Sequence, residues 1–125
     1  MNRNRASAKK AGTAFETLVA GFLAERLGDD RIERRAKTGA KDRGDIAGVR
    51  HMGQRIVIEC KNTSKLTLGT WLTEAEIERG NDDAGVAIVA HKRHGKAAAK
   101  DQLVTMTLGD LAALLTGERK GERDG

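Results

Sequence analysis

The sequence of 125 residues is short of several residue types, and each shortage excludes a class of protein. Cys60 is the single cysteine, which excludes an internal disulfide and a cysteine metal cluster and makes an intracellular location the default. The three aromatic residues, Phe15, Phe22 and Trp71, are too few for a single-strand reader that stacks bases on aromatic rings. No apolar run approaches the length of a membrane span, and the N-terminus lacks the apolar stretch of a signal peptide. We therefore expect a cytoplasmic protein with no membrane partner.

Positive charge, in contrast, is abundant and unevenly placed. The formal net charge is +5, and 33% of the residues are charged against 38% that are apolar, as in one globular domain with a highly charged surface. Arg3, Arg5, Lys9 and Lys10 open the chain with no acid among them, and a second basic cluster occupies 91–100. Clustered positive charge indicates a polyanionic partner, most often nucleic acid; a surface that only keeps the protein soluble is the alternative. Because aromatic residues are scarce, the backbone of duplex or branched DNA is the favoured ligand.

Hydrophobic periodicity predicts an α/β fold with a mixed central β-sheet flanked by helices, in the order αβββαββα. The predicted helices lie at 12–28, 67–79 and 108–116, and the predicted strands at 31–37, 45–49, 55–61, 86–90 and 103–106. The helix between strands 55–61 and 86–90 implies a right-handed crossover and therefore a parallel pair. These elements form a single domain over 12–116, preceded by a flexible basic arm at 1–11 and followed by a flexible tail at 117–125.

The first two predicted helices carry acidic side chains with different expected roles. Thr13 is predicted as the N-cap of the first helix, with Glu16 three residues later in the pattern of a capping box, and Gly28 as its end. Glu16 also borders the apolar stripe of this helix, so it is able to reach the edge of the sheet. On the second helix we expect mostly exposed glutamates: Glu74, Glu76 and Glu78.

Glu59 and Lys61 lie two residues apart at the end of the strand at 55–61, so their side chains face the same way. Asp45 begins the preceding strand. Two acids and a lysine at the ends of adjoining strands are suited to hold a divalent metal against a phosphate and to activate a water. A strand whose polar end simply meets solvent is the alternative for an isolated Glu-x-Lys.

The predicted hairpin allows a test of whether the two acids meet. A three-residue loop at 51–53 would pair Arg50 with Gln54 and would place Asp45 directly opposite Glu59, with their Cβ atoms roughly 5 Å apart. That separation is short enough for the two carboxylates to share one cation. A loop with one residue more or fewer would move Asp45 out of this alignment.

Asp45 followed across a hairpin by Ile58-Glu59-Cys60-Lys61 resembles the signature of the PD-(D/E)xK nuclease superfamily, with Gly44 where the signature often has proline. The segment Gly12-Thr13-Ala14-Phe15-Glu16 is similar to the Gly-to-Glu opening of archaeal-type Holliday junction resolvases, which phages also encode. The resemblance covers about residues 12 to 91. It implies a restriction-endonuclease-like core and a Mg²⁺-dependent endodeoxyribonuclease. Such an enzyme would resolve four-way junctions by paired nicks in DNA recombination and repair.

The resemblance also implies a role for each residue of the site. Asp45 and Glu59 would ligate Mg²⁺, for which Mn²⁺ can substitute, with the backbone carbonyl of Cys60 as a third protein ligand. Glu16 would join through water or complete a second metal position. Lys61 would orient or help to deprotonate the attacking water and would stabilise the charge that develops on the phosphorus oxygens.

A surface for branched or duplex DNA and a homodimer are further implications. The predicted DNA contacts are Arg3, Arg5, Lys9, Lys10, Arg34, Arg35, Lys37, Thr38, Lys41, Arg43, Lys92 and Arg93. Among them, Thr38 matches a hydroxyl residue that resolvases place near the scissile phosphate. A resolvase must cut two strands symmetrically, and one chain provides one site, so a two-fold homodimer follows.

Two other functions fit the same residues. One is another PD-(D/E)xK nuclease that acts on duplex or flap DNA, and the other is a non-catalytic basic module that binds nucleic acid. A histidine-based nuclease is disfavoured because His91 and His94 lie in one predicted loop with no third ligand. We predict both histidines to be DNA contacts or surface residues.

Overall fold

The computed structural model describes residues 4–36 and 41–121, and within these residues the chain forms three α-helices and a mixed six-stranded sheet. The helices are α1 (Arg5–Leu27), α2 (Leu68–Asn81) and α3 (Leu108–Thr116), with a short 3-10 helix at Ala99–Asp101. The strands are β1 (Glu33–Arg34), β2 (Ile46–Ala47), β3 (Arg50–His51), β4 (Gln54–Lys61), β5 (Val86–His91) and β6 (Leu103–Thr105). The prediction of an α/β fold with a mixed sheet is confirmed.

The sheet has the strand order β1-β2-β4-β5-β6, and β3 pairs with β4 beyond the end of β2. β4 and β5 are parallel, as the helix between them predicts, and the other pairs are antiparallel. The parallel register sets Glu59 beside Val89 and Lys61 beside His91. The polar ends of the two central strands therefore meet at one edge of the sheet.

The α1 helix begins earlier than the sequence pattern predicts. Asn4 is its N-cap and accepts a hydrogen bond from the Ser7 N–H at 2.8 Å, so Thr13 is not the N-cap, and residues 5–11 of the predicted arm are helical. This segment is rich in alanine, lysine and arginine, which favour helix without an apolar stripe. The end at Gly28 is confirmed, with φ of 61° in the left-handed region.

Residues 117–121, at the other end of the predicted domain, also have defined contacts. Gly117 caps α3, and Arg119 Nη1 lies 2.6 Å from Asp110 Oδ1. Arg119 Nη1 also donates to the Gly85 carbonyl at 3.2 Å. The beginning of the predicted flexible tail therefore packs against the domain.

The turn between β3 and β4 contains two residues, so the predicted three-residue loop is wrong. His51 pairs with Gln54, and the turn residues Met52 and Gly53 have φ of 52° and 82°. Positive φ at both central residues is typical of the tight type I′ turn of hairpins. Taken alone, this turn would move Asp45 out of alignment with Glu59.

A β-bulge in the first arm of the hairpin restores the predicted register at the base of the hairpin. Arg50 pairs with Arg55 near the turn, whereas Ile46 pairs with Ile58 at the base, so four residue steps on one arm face three on the other. Gly48 has φ of 90° and provides the extra residue, as glycine commonly does in bulges. The bulge is also the reason that the predicted strand at 45–49 is divided between β2 and β3.

The two faces of the sheet are covered by different helices. Phe15 of α1 packs with Ile46 and Ile58 on one face, and Trp71 of α2 packs with Val57 on the other. Because successive strand residues alternate between faces, β4 contributes to both cores. None of the helices in the described residues is long and apolar enough to cross a membrane.

Candidate metal centre

Three carboxylates converge where the end of β4 meets α2. One oxygen from each of Asp42, Glu59 and Glu78 lies within 4.8 Å of the others, a spacing that allows them to hold one metal ion. Glu59 shares the α2 side of β4 with Val57 because the two residues are separated by two positions. Glu59 and Glu78 are 5% and 3% exposed, whereas Asp42 is exposed and opens the cluster to solvent.

The burial of Glu78 contradicts the prediction that it is mostly exposed. Trp71, Ala75 and Glu78 follow one another at spacings of four and three residues, and all three are buried on the face of α2 that covers the sheet. The charge of Glu78 favoured the prediction of an exposed side chain. Its spacing from Trp71, in contrast, indicates a side chain that faces the core. Asp42 carried no comparable signal, because it lies in a segment without regular structure.

Asp45 reaches the cluster from the hairpin. Its carboxylate is 3% exposed, its Oδ2 accepts a hydrogen bond from the Cys60 N–H at 2.8 Å, and it also hydrogen-bonds the Glu59 carboxyl. Asp45 precedes Ile46, which pairs with Ile58, and the Asp45 N–H donates to the Ile58 carbonyl at 2.8 Å. Asp45 and Glu59 therefore meet, although through a turn and a bulge that the prediction did not contain.

Gly44 explains the departure from the proline of the nuclease signature. Its φ is 94°, and a Cβ at this position would lie 2.9 Å from Val57 Cγ1. Proline is locked near a φ of −65°, so it cannot adopt this conformation. In this chain, glycine is the residue that allows the backbone to turn Asp45 towards β4.

Burial and the neighbouring acids raise the pKa values of two carboxyls in this cluster, Glu59 and Glu78. Burial, together with the hydrogen bond and charge of Asp45 and the charge of Glu78, raises the pKa of Glu59 to about 10, although Lys61 acts in the opposite direction. Burial and the charge of Asp42 raise the pKa of Glu78 to about 7. Glu59 is therefore protonated at neutral pH, which allows the carboxyls to hydrogen-bond one another. Apart from such a shared proton, the buried Oε1 atoms of Glu59 and Glu78 have no hydrogen-bond partner among the described residues.

Lys61 lies beside the cluster and is charged. Its Nζ is 3.3 Å from Glu59 Oε2 and 3.0 Å from Glu74 Oε2. Burial opposes the charged form, but the hydrogen bond to Glu74 and the negative charges of Glu59 and Glu74 outweigh it, so the pKa of Lys61 is raised. The predicted pair of Glu59 and Lys61 is thus joined by Glu74, which the sequence analysis did not assign to the site.

Glu16 does not belong to the group of converging carboxylates. It lies on α1, which covers the opposite face of the sheet, and its Oε1 accepts a hydrogen bond from Arg34 Nε at 2.8 Å. Its charge nevertheless contributes to the raised pKa of Cys60, for which burial is the main cause. The roles predicted for Glu16 and for the Cys60 carbonyl in metal binding stay predictions.

The prediction that His91 is a surface residue or a DNA contact in a loop is wrong. It is the last residue of β5 and is buried, and its ring centroid lies 5.3 Å from that of Trp71. His91 Nε2 hydrogen-bonds Thr105 Oγ1 at 2.8 Å, and burial lowers its pKa. His94 is exposed, with Nε2 at 2.9 Å from the Thr63 carbonyl.

The predicted DNA contacts are dispersed over several surfaces. Those on α1 and in the two loops are exposed: Arg5, Lys9, Lys10, Lys41, Arg43 and Arg93. Lys92 is half-buried, and its Nζ contacts the carbonyls of Arg93 and Lys96. Arg3, Lys37 and Thr38 lie outside the described residues.

The geometry of the carboxylates, the lysine and the basic surface has to be interpreted without relatives. Comparisons with protein-family models, with curated proteins and with solved structures give no match for this chain.

Proposed function

We propose that this protein is a Mg²⁺-dependent endodeoxyribonuclease with a restriction-endonuclease-like core, which resolves four-way DNA junctions by paired nicks. The observation that carries the proposal is the meeting of Asp45 and Glu59 beside the charged Lys61, because these residues have the order and spacing of the PD-(D/E)xK signature. The order of the elements supports the same core, since β2 and β3 are two segments of one interrupted strand.

The donor set fits a hard divalent cation. Among the described residues, Glu59 and Glu78 have buried oxygens without donors, and the pKa of each group is raised first by burial and then by the neighbouring acids, both of which a bound cation would offset. Mg²⁺ prefers oxygen ligands and keeps several waters, and Mn²⁺ accepts the same ligands. We infer that Asp45, Glu59, Glu78 and Asp42 would hold the ion. When bound, the ion would supply a polarised phosphate oxygen and a water of lowered pKa.

Lys61 supports phosphodiester hydrolysis through its charge. Since the pKa of Lys61 is raised, its ammonium stays protonated at neutral pH and is suited to stabilise negative charge on a phosphate. Its contacts with Glu59 and Glu74 fix the position of Nζ, which lowers the cost of orienting a water. The structure therefore favours the orienting and electrostatic role of Lys61 over proton abstraction.

A homodimer follows from the proposed reaction, because two symmetric nicks need two centres. The chain has exposed apolar side chains on α3 and on the edge strand β6, both of which lie against β5. Leu108 and Leu115 are 81% and 71% exposed, and Val104 of β6 is also exposed. A second copy of the chain is the partner we propose for these residues.

The test compares wild type with Glu59→Gln and Lys61→Ala on labelled four-way junction, flap and linear duplex, in Mg²⁺ and in EDTA. Glu76→Gln is the control, because Glu76 lies on α2 but forms its ion pairs with Arg79 and Arg119 instead of with the cluster. We expect paired nicks on the junction only, with Mg²⁺ only. Both site variants should lose the nicks and keep DNA binding, and the control should cut normally.

Each other outcome assigns a different function. Equal cutting of linear duplex or flap would replace the resolvase by another nuclease of the superfamily. DNA binding without cutting in any divalent metal would indicate that the protein is a non-catalytic module that binds nucleic acid. Cutting that persists in Lys61→Ala would remove Lys61 from the active site.

A further inference from the structure

A second polar site lies beside the hairpin and is separate from the carboxylates. It is a cleft of about 250 Å³ lined by four arginines, Arg35, Arg43, Arg50 and Arg55, together with Asp82 and the hairpin residues Ile46, Gly48, Val49 and Ile56. Arg35 and Arg43 are among the predicted DNA contacts, whereas Arg50 and Arg55 are not.

The positive charge of the cleft is largely uncompensated. Asp82 is the one acid in its lining, and its Oδ2 lies 4.0 Å from Arg35 Nη2, at the outer limit of an ion pair. Arg55 Nη1 donates to the backbone carbonyl of Asp82 at 2.9 Å, which neutralises no charge. Arg35 Nε is buried and has no acceptor among the described residues. A group with several acceptor oxygens and negative charge would satisfy these donors.

The backbone holds the arginines together at a cost. Arg50 and Arg55 are directly paired in the antiparallel register, and like charges in this position destabilise a sheet. The positive φ of Gly48 shapes the wall of the cleft, where a Cβ would lie 2.6 Å from the Arg31 carbonyl oxygen. A cleft lined by charge of one sign attracts counter-ions, and a bound anion would offset the repulsion between Arg50 and Arg55.

The cleft and the metal centre are built on the same short segments. Asp42 belongs to the carboxylate cluster, and its neighbour Arg43 lines the cleft. On α2, Glu78 belongs to the cluster, and the Asp82 N–H donates to the Glu78 carbonyl one turn later. The two sites therefore share their supporting backbone at 42–43 and at the end of α2.

We propose that the arginine cleft binds a backbone phosphate of the DNA substrate other than the phosphate that is cut. The guanidinium fork matches two phosphate oxygens, so arginine is suited to this contact. The inference rests on the proposed function in taking DNA as the ligand. It does not depend on cleavage, because phosphate contacts position a nucleic acid without taking part in its chemistry.

The test measures binding of a labelled four-way junction in EDTA, where no metal-dependent cutting takes place, over a series of salt concentrations. Arg50→Gln and Arg55→Gln are compared with Arg26→Gln, which removes the same charge from α1, where Arg26 stacks on the Phe22 ring. Each lost phosphate contact lowers the slope of log affinity against log salt by about 1. We expect this decrease in both cleft variants and no change in the control.

The stability of Arg50→Gln distinguishes a folding defect from a binding defect. Arg50→Gln removes the repulsion with Arg55, so its unfolding midpoint in urea should equal or exceed that of wild type. An unchanged salt slope in both cleft variants, or an equal decrease in Arg26→Gln, would overturn the proposal. Saturable binding of a mononucleotide or inorganic phosphate with an unchanged DNA slope would also overturn it. The expected decrease of the slope in both cleft variants, together with a wild type that does not cut the junction in Mg²⁺, would count against the proposed nuclease activity and leave the cleft proposal standing.

Discussion

Replacing Glu78 by glutamine should make the metal-free protein more stable, although the substitution removes a ligand from the candidate metal centre. Glu78 is 3% exposed and lies in the cluster with Asp42 and Glu59. Glutamine has nearly the same shape and no charge, so it keeps the packing and removes the repulsion. We therefore expect the carboxylate cluster to lower the free energy of unfolding of the metal-free protein, as functional sites often do.

The magnitude follows from the pKa of Glu78, which is raised from 4.5 to about 7 by burial and by the charge of Asp42. Below pH 4.5 the carboxyl is protonated in both the folded and the unfolded chain, and no difference arises. Between pH 4.5 and 7 the unfolded chain loses the proton first, so the free energy of unfolding falls as the pH rises. With about 1.4 kcal/mol for each pKa unit, the loss above pH 7 has an upper limit of roughly 3 to 4 kcal/mol.

The assay is urea denaturation in EDTA at pH 4.5 and pH 8 for wild type, Glu78→Gln and Glu76→Gln. We expect Glu78→Gln to exceed wild type by about 1–3 kcal/mol at pH 8 and by much less at pH 4.5. Glu76 is the matched control, because its hydrogen bond to Arg79 lowers its pKa. Its substitution should reduce stability at pH 8 by about 1 kcal/mol or less.

Mg²⁺ should reduce the stability advantage of Glu78→Gln over wild type. An ion that binds only the folded state adds about 2.7 kcal/mol at one hundred times its dissociation constant. Wild type should gain this in Mg²⁺, and Glu78→Gln should gain less because it lacks one ligand. A Glu78→Gln variant that is less stable than wild type at pH 8 in EDTA would refute the reasoning, since it would show that the carboxylate is favourably solvated or paired.

Three further predictions concern other parts of the fold. Gly44→Ala should lower the free energy of unfolding by about 1–3 kcal/mol in urea, because of its φ of 94° and the core contact of a Cβ, whereas Gly12→Ala in an open part of α1 should not. The imidazole of His91 should titrate below pH 6.5 by NMR, because burial lowers its pKa; a midpoint above 6.5 would contradict its placement. Leu108→Glu with Leu115→Glu should convert the proposed dimer to a monomer in sedimentation, and a double variant that sediments as a dimer would exclude this face of α3.

Much of the framework could be predicted from the sequence, because the strongest patterns are local. The apolar run of β5 and the leucines of α3 determine elements with the predicted positions, and the helix between β4 and β5 determines their parallel pairing. The start of α1 was not predictable from an apolar stripe, since residues 5–11 depend on intrinsic helix propensity and on the cap at Asn4.

The candidate site was harder to predict, because it depends on contacts between distant segments. Asp45, Glu59 and Lys61 carry a recognisable order, whereas Glu78 is separated from Glu59 by a loop and most of α2. Its place at a core-facing position of α2 was available from the helical period. The facing arginines at 50 and 55 depend on the length of a turn, which the residues between them did not determine.

The bulge at Gly48 makes the register at the base of the hairpin differ by one residue from the register at its turn. An ordinary hairpin transmits any one-residue insertion or deletion in its turn along the whole ladder and reverses the side to which every later residue points. Here the extra residue at Gly48 changes the register by one position between the turn and the base, so the bulge and the turn together determine the side from which Asp45 projects. We therefore expect removal of Gly48 to displace Asp45 relative to Glu59 as much as a one-residue change in the turn would.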